Sequence, residues 1–290
     1  MIDPGLALGY HRCGLLPHPA QVAVGEQVRE EIRRALEDAT DVVISHFHGD
    51  HIPLLHANPY QLRIEDVASD LQKARIWAKG PDGLSPNMTQ RREALGEVIN
   101  RELPNAEGQR EGPLAFSMAV AHGEPGTHLG KVMMTRIEDA DTVFVHASDI
   151  QLLDARAVSL ILEWRPDVVL VGGPPLYLSA LSPTQRQRAW ELAQRLARGG
   201  ETLILDHHLL RSKTGLSWLA RLAAGTDHAV ICAADFMGRP RCLLEARREQ
   251  LYHQMPVPDG WHEAYARGET DTRAYRHYRG RCSQTRQIST

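Results

Sequence analysis

The segment Asp41-Val-Val-Ile-Ser-His46-Phe-His48-Gly-Asp50-His51 decides how this sequence is interpreted. Its first five residues form a short, apolar and β-branched run, which is typical of a buried strand. Three imidazoles and a carboxylate follow within six residues, where the predicted strand ends. Alternate residues of an extended turn point the same way, so His46 and His48 can bind one metal ion. Asp50 and His51, beyond the glycine bend, can reach a second.

The rest of the sequence has the pattern of an α/β protein. It has 290 residues, of which 42% are hydrophobic, so it can bury a full core. Apolar runs that predict strands alternate with helical patterns, and the stretch 60–103 is predicted as helices laid over a sheet. The best-marked helix is 185–198, since Ser182 can cap it and Gly199 can end it. The predicted strands are 41–45, 114–120, 131–137, 141–146, 168–171, 202–205 and 228–232.

Charge, hydropathy and cysteine content argue against several classes of protein. Lys and Arg number 33 against 36 Asp and Glu, and the formal charge of -3 gives no global field that attracts polyanions. No apolar run approaches the roughly 18 to 20 residues of a membrane-spanning helix, and no secretory signal is present. The sequence therefore predicts a cytoplasmic protein without a membrane partner. Four cysteines without a Cys-x-x-Cys pair argue against a disulfide framework or a thiolate zinc site.

The histidine-rich turn resembles the signature of the metallo-β-lactamase superfamily. That resemblance implies three further ligands at later strand ends, in the order histidine, acidic residue, histidine. His122 follows the run that ends at Val120, Asp149 follows another apolar run, and His207 and His208 follow a third. His207 is preferred because it lies nearer the strand end, with His208 as the alternative. The implied ligands are His46, His48, Asp50, His51, His122, Asp149 and His207.

Five further segments resemble one branch of that superfamily, which is best represented among archaea and consists of predicted metal-dependent hydrolases. They are Ile2-Asp-Pro-Gly5, Gly123-Glu-Pro-Gly-Thr-His-Leu-Gly130, Ala147-Ser-Asp-Ile-Gln151, Gly172-Gly-Pro-Pro-Leu-Tyr-Leu178 and Asp206-His-His-Leu-Leu-Arg211. The likeness implies the four-layer αβ/βα metallo-β-lactamase fold, a mixed β-sandwich flanked by helices. We expect one hydrolase domain over 1–265, followed by a partly disordered extension over 266–290.

The N-terminal segment departs from the superfamily pattern. Members usually open with two or more strands before the Asp-Pro-Gly turn, which here begins at Asp3. Either Met1 is not the true start, or the usual first strands are missing. In the second case a sheet edge is exposed, and a second copy of the chain could cover it as a homo-oligomer.

The implied ligand set indicates the chemistry. Imidazole and carboxylate donors without thiolate suit Zn²⁺ first, and also Mn²⁺ or iron, so two divalent ions are expected. Such a pair lowers the pKa of a shared water from about 15.7 to near 7. The resulting bridging hydroxide would attack an ester, thioester, lactone or amide bond of a small-molecule substrate. Asp50 and Asp149 are the expected catalytic residues, and Tyr177 and Arg211 are candidates for substrate binding.

Other functions stay open on the same ligand set. A phosphodiesterase or nuclease is the first alternative, in which Arg75, Arg91, Arg92 and Arg101 would line one helical face. An iron-bound redox protein is the second. A metal bound for stability alone is less expected, because seven ligands for two ions leave room for solvent.

Overall fold

The computed structural model describes residues 1–278, which fall into two compact units. The first unit is built from three segments, 1–78, 86–104 and 239–278. The second is built from two segments, 79–85 and 105–238. The assignment of 1–265 to one domain stays a prediction. The expected disorder of the C-terminal extension falls partly on 279–290, outside the described residues.

The first unit contains a parallel pair of strands and several helices. Strand β1 (Asp41–Ile44) pairs with β2 (Arg75–Ala78), and Ile2 forms a parallel bridge with Val43 of β1. The N-terminal residues thus continue the pairing beyond β1. With labels in chain order, the helices are α1 (Pro19–Glu37), α2 (Ala68–Lys73), α3 (Pro86–Val98), α9 (Arg248–Gln254) and α10 (Trp261–Ala266), with 3-10 turns at Ile64–Asp66 and Arg273–Tyr275.

Strand β2 corrects the prediction that 60–103 contains helices alone. Its residues Ile76, Trp77 and Ala78 are buried, as suits a strand with an apolar, β-branched and aromatic sequence. The predicted basic helical face is also wrong. Arg75 lies on β2 and forms an ion pair with Asp41, whereas the other three arginines donate hydrogen bonds to backbone carbonyl groups; these are Arg91, Arg92 and Arg101.

The second unit is organised by one mixed seven-stranded sheet in the order β11-β10-β9-β8-β7-β4-β3. Strands β8, β9, β10 and β11 run parallel to one another, whereas the pairs β3–β4, β4–β7 and β7–β8 are antiparallel. A separate antiparallel pair joins β5 and β6. The strands are β3 (Arg110–Glu111), β4 (Leu114–Phe116), β5 (Val120–Ala121), β6 (Lys131–Val132), β7 (Thr135–Asp139), β8 (Thr142–His146), β9 (Val168–Val171), β10 (Thr202–Leu205) and β11 (Ala229–Ile231).

Helices connect the parallel strands of this sheet, and the predicted α/β class is confirmed. The helices are α4 (Ala155–Glu163), α5 (Pro183–Ala197), α6 (His207–Leu210), α7 (Lys213–Ala223) and α8 (Ala233–Phe236). Helix α5 begins as predicted, because Ser182 and Gln185 form a capping box. Among residues 1–278, none of the helices combines the length and apolar composition that crossing a bilayer requires.

Two predicted strands are each divided in the structure. The stretch 114–120 becomes β4 and β5, and 131–137 becomes β6 and β7. At the division the hydroxyl group of Ser117 accepts the backbone N–H of Met134 at 2.8 Å. This side-chain bond replaces a ladder bond at the point where the chain leaves one sheet for the other, so an apolar run alone could not reveal the break.

We expect Gly215→Ala to destabilise the protein, although alanine normally favours a helix over glycine. A Cβ atom at Gly215 of α7 would lie 1.9 Å from the carbonyl oxygen of Leu209 in α6. Overpacking of this kind costs about 1 to 3 kcal/mol in the free energy of unfolding, which urea titration measures. Gly225→Ala is the matched control, because its Cβ atom would have no neighbour closer than 3.5 Å. Equal stability of the two variants would contradict the expectation.

Candidate metal centre

Strand ends position the predicted ligands of the second unit. Strands β8 and β10 are both parallel to β9, so their carboxyl ends meet at one edge of the sheet. Asp149 lies just after β8, and His207 and His208 open α6 directly after β10. His122 follows β5 and is held by the backbone N–H of Gln151, which donates to its carbonyl oxygen at 3.0 Å.

Asp149 lies among three imidazole rings, which with it form the second-unit cluster of His122, Asp149, His207 and His208. Its Oδ1 atom is 3.1 Å from Nε2 of His207, and its Oδ2 atom is 3.3 Å from Nε2 of His122 and from Nε2 of His208. Asp149, His122 and His208 are buried, whereas the side chain of His207 is 32% exposed. Donors bound about 2.0 to 2.2 Å from one tetrahedral zinc ion lie roughly 3.3 Å apart, so this spacing suits a metal ion.

Gly172 makes room for the second-unit cluster. A Cβ atom there would lie 3.2 Å from Nδ1 of His208 and 3.4 Å from atoms of both Asp149 and His207. Its carbonyl oxygen accepts the backbone N–H groups of His208 and Leu209 at 3.0 and 3.2 Å, which fixes the start of α6. The glycine therefore lets the end of β9 approach the donors without displacing them.

His208 is a neutral base in this setting. Burial lowers the pKa of His208 to about 4, against the opposing effect of the Asp149 carboxylate. Its Nδ1 atom is buried and has no hydrogen-bond partner within residues 1–278. The lowered pKa suits a metal-binding imidazole, since a ligand must be deprotonated. The structure brings His207 and His208 alike to Asp149, and the preference for His207 stays a prediction.

The four predicted residues of the histidine-rich turn lie together after β1 and form the first-unit cluster: His46, His48, Asp50 and His51. Nε2 of His46 is 3.0 Å from Nδ1 of His48, and Nε2 of His51 is 4.0 Å from a carboxylate oxygen of Asp50. His46 and His51 are buried, and the other two are half-buried. Imidazole nitrogens that face each other at such distances are suited to a shared cation.

Asp3 belongs to the candidate site, although the sequence analysis assigned it no role. Its Oδ2 atom accepts hydrogen bonds from Nδ1 of His51 at 2.8 Å and from the hydroxyl of Ser45 at 2.5 Å. Its Oδ1 atom accepts the backbone N–H of Ser45 at 2.7 Å. A carboxylate that binds the second nitrogen of a histidine fixes the ring and its tautomer, as at many metal sites. The Asp-Pro-Gly motif was noted in the sequence as a family resemblance, but a motif alone does not reveal what the Asp3 side chain contacts.

Gly5 allows the turn that carries Asp3 to pack against the histidine-rich loop. A Cβ atom at Gly5 would lie 2.2 Å from the backbone nitrogen of Ile52 and 2.3 Å from the carbonyl carbon of His51. Only a residue without a side chain fits this approach of two backbones. The Asp-Pro-Gly sequence thus combines a carboxylate for His51 with the space needed to deliver it.

The two residues proposed to bind substrate lie together in the second unit. Nη1 of Arg211, just after α6, donates to the hydroxyl oxygen of Tyr177 at 3.4 Å. Tyr177 lies in the loop that begins at Gly172. The structure thus brings this pair together, and their role in substrate binding stays a prediction, as does the role of each predicted metal ligand.

These features define an α/β protein whose strand ends carry clusters of imidazole and carboxylate groups that could hold a metal ion. No family model matches the chain. It is 50% identical over 275 residues to the UPF0282 protein of Methanosarcina mazei, with 95% of this chain and 90% of the relative covered. The UPF0282 proteins of Methanopyrus kandleri and Pyrococcus abyssi are 35% and 33% identical, each over 87% of this chain and over 89% and 84% of their own lengths. The chain belongs to the UPF0282 family.

A solved structure is also similar to this chain. It is described as a metal-dependent hydrolase of the beta-lactamase superfamily. The two share 14% sequence identity with a TM-score of 0.47, over 71% of this chain and 82% of the other.

We expect Asp3→Asn to weaken zinc binding by the full chain. Loss of the carboxylate that orients a metal-binding histidine lowers metal affinity by about 10 to 100-fold. Titration of the metal-free protein with zinc against a competing chelator measures the change. Asp66→Asn, at an exposed aspartate of the same unit, is the control. Melting temperatures of the metal-free variants are compared as well, because Asp3 also binds Ser45, and unchanged zinc affinity would refute this role.

Proposed function

We propose that this chain is a dinuclear metal-dependent hydrolase that cleaves an ester, thioester, lactone or amide bond of a small molecule. The second-unit cluster carries the proposal: one buried carboxylate, Asp149, has three imidazole nitrogens within 3.3 Å. A buried carboxylate requires a compensating positive charge, and neutral imidazoles beside it are ready donors for a cation. That the first-unit cluster serves the same two ions is inferred from the order of the motifs along the sequence.

Zinc is the proposed metal, with manganese and iron as the alternatives that the same nitrogen and oxygen donors accept. Two such ions, when bound, supply a hydroxide nucleophile at neutral pH and polarise the attacked oxygen. Within the chain, Asp50 and Asp149 are proposed to orient the nucleophile. Asp3 is proposed to hold the ring of His51, so that Nε2 of His51 faces the metal.

The remaining parts of the proposal concern substrate and setting. Arg211, supported by the hydroxyl of Tyr177, is proposed to contact the substrate, since a guanidinium binds oxygen anions with directional hydrogen bonds. We further propose a cytoplasmic protein that acts on a small molecule and assembles as a homo-oligomer. The cytoplasmic location and the homo-oligomer are inferred from the sequence alone.

Metal content per chain tests the proposal most directly. Protein purified without added metal is expected to contain about two zinc ions per chain by elemental analysis, as in other two-metal hydrolases. His48→Ala and Asp149→Ala, one in each cluster, should both lower that content. His253→Ala, at an exposed histidine outside both clusters, should leave it unchanged. No metal after reconstitution would refute the proposal, and two irons would redirect it toward oxygen chemistry.

A catalytic role is separated from a structural one by Asp50→Asn. This variant is expected to retain metal, while hydrolysis of a substrate found by screening esters, lactones and phosphodiesters falls by about 100-fold or more. Full activity in a variant that keeps its metal would show that Asp50 does not act in the reaction.

A further inference from the structure

A cavity of about 520 Å³ lies in the first unit, between the loop that follows the histidine-rich turn and helix α3. Leu54 and Ile64 supply apolar surface, and Gln61, Gln90 and Arg91 supply polar groups. Its volume lies within the roughly 300 to 1,000 Å³ of typical small-molecule sites. The described site and its mechanism make no use of this cavity.

Two nitrogen donors that line the cavity lie near Gly49, the residue between His48 and Asp50 of the first-unit cluster. A Cβ atom at Gly49 would lie 3.8 Å from Nη2 of Arg91 and 3.8 Å from Nε2 of Gln61. Nη2 of Arg91 and Nε2 of Gln61 are therefore separated by at most twice 3.8 Å. Cδ1 of Leu54 lies closer to the same position, at 3.1 Å, so the two donors flank an apolar side chain that also lines the cavity.

Both donors are held in place through their other atoms. Nη1 of Arg91 donates to the carbonyl oxygen of Phe47 at 3.2 Å, which fixes the guanidinium against the histidine-rich turn. Oε1 of Gln61 accepts the backbone N–H of Asn58 at 2.9 Å, which orients its amide group. Within residues 1–278, Arg91 forms no ion pair and Nε2 of Gln61 donates no hydrogen bond. A cation and an amide donor are thus positioned and available.

We infer that Arg91 and Gln61 bind an anionic group, a carboxylate or a phosphate, of the molecule on which this protein acts. A guanidinium matches both groups with paired hydrogen bonds, and an adjacent amide N–H adds a third donor. The inference rests on the proposed function for the reaction, which would take place at the neighbouring first-unit cluster. It narrows the substrate class to anionic esters, thioesters, lactones or amides.

The charges elsewhere in the cavity limit where the anion binds. Glu93 and Glu97 of α3 also line it, and neither forms an ion pair with Arg91 among the described residues. Their carboxylates repel a negative group. We therefore expect the negative group beside Arg91 and Gln61 rather than beside these two glutamates.

The test uses inorganic phosphate and acetate as separate probes on the full, metal-loaded chain at constant ionic strength. The rise in melting temperature with probe concentration gives an apparent Kd for each. Gln61→Glu keeps the oxygen that accepts from Asn58 and replaces the amide donor by a negative charge. We expect it to weaken binding of the preferred probe by at least about tenfold, the effect of losing one hydrogen bond to a charged group.

Matched variants separate this local effect from a change in net charge. Gln90→Glu makes the same change on another residue that lines the cavity, and its apparent Kd should stay within about twofold of wild type. Arg91→Lys keeps the positive charge but loses the paired donors, so it should also weaken binding of the probe. It serves as the test variant if Gln61→Glu does not fold. Equal weakening by both glutamine variants would overturn the inference. So would unchanged affinity in Gln61→Glu and in Arg91→Lys, or no binding of either probe to wild type.

A parallel titration with chelator separates this inference from the proposed function. Metal content is measured on the same samples. Phosphate binding that survives metal removal and disappears in Gln61→Glu supports the anion site, even if the purified chain holds no metal. Phosphate binding that disappears with the metal in wild type shows that the probe bound the ions, and overturns the inference while leaving the hydrolase proposal standing.

Discussion

A carboxylate loses several kcal/mol of hydration free energy when it is buried, unless positive charge or hydrogen bonds replace the water. Asp149 is 1% exposed, and the structure around it meets this constraint with imidazole groups from β5 and α6. Helix α6 begins on the carbonyl oxygen of Gly172 and packs on Gly215 of α7. The loop after β9 and the close packing of α6 on α7 thus hold the imidazoles of α6 against the carboxylate of Asp149.

The first unit solves a similar problem with a different carboxylate. Asp3 takes both donors of Ser45 and one nitrogen of His51, so a single side chain fixes the beginning and the end of the histidine-rich turn. Arg91 holds the middle of the same turn through the carbonyl oxygen of Phe47. The six-residue loop is thereby held from outside in addition to its own internal contacts, and a metal site requires such fixed ligands.

The sequence predicted the elements whose formation depends on residues close to one another along the chain. The histidine-rich turn and the predicted ligands after β8 and β10 follow apolar runs, and α5 carries its own cap. Strand β2 was missed because it is only four residues long and lies between helical segments. Its burial depends on pairing with β1, which the local sequence does not reveal. The role of Asp3 was missed because its partners lie 42 and 48 residues away. Helix α1 begins at Pro19 because His18 caps it, and histidine is not among the preferred N-cap residues.

The division of the chain into alternating segments bears on how it emerges from the ribosome. The second unit is complete at residue 238, whereas the first still lacks 239–278 at that stage. That last segment supplies the stacking of Tyr265 on Tyr60 and the hydrogen bond from the hydroxyl of Thr272 to Glu26 of α1. Since units of structure fold as their sequence is completed during synthesis, the seven-stranded sheet precedes the unit that carries His46. On that order of folding, the first segment of the chain, with the histidine-rich loop, stays accessible to proteases and chaperones until the last segment has been synthesised.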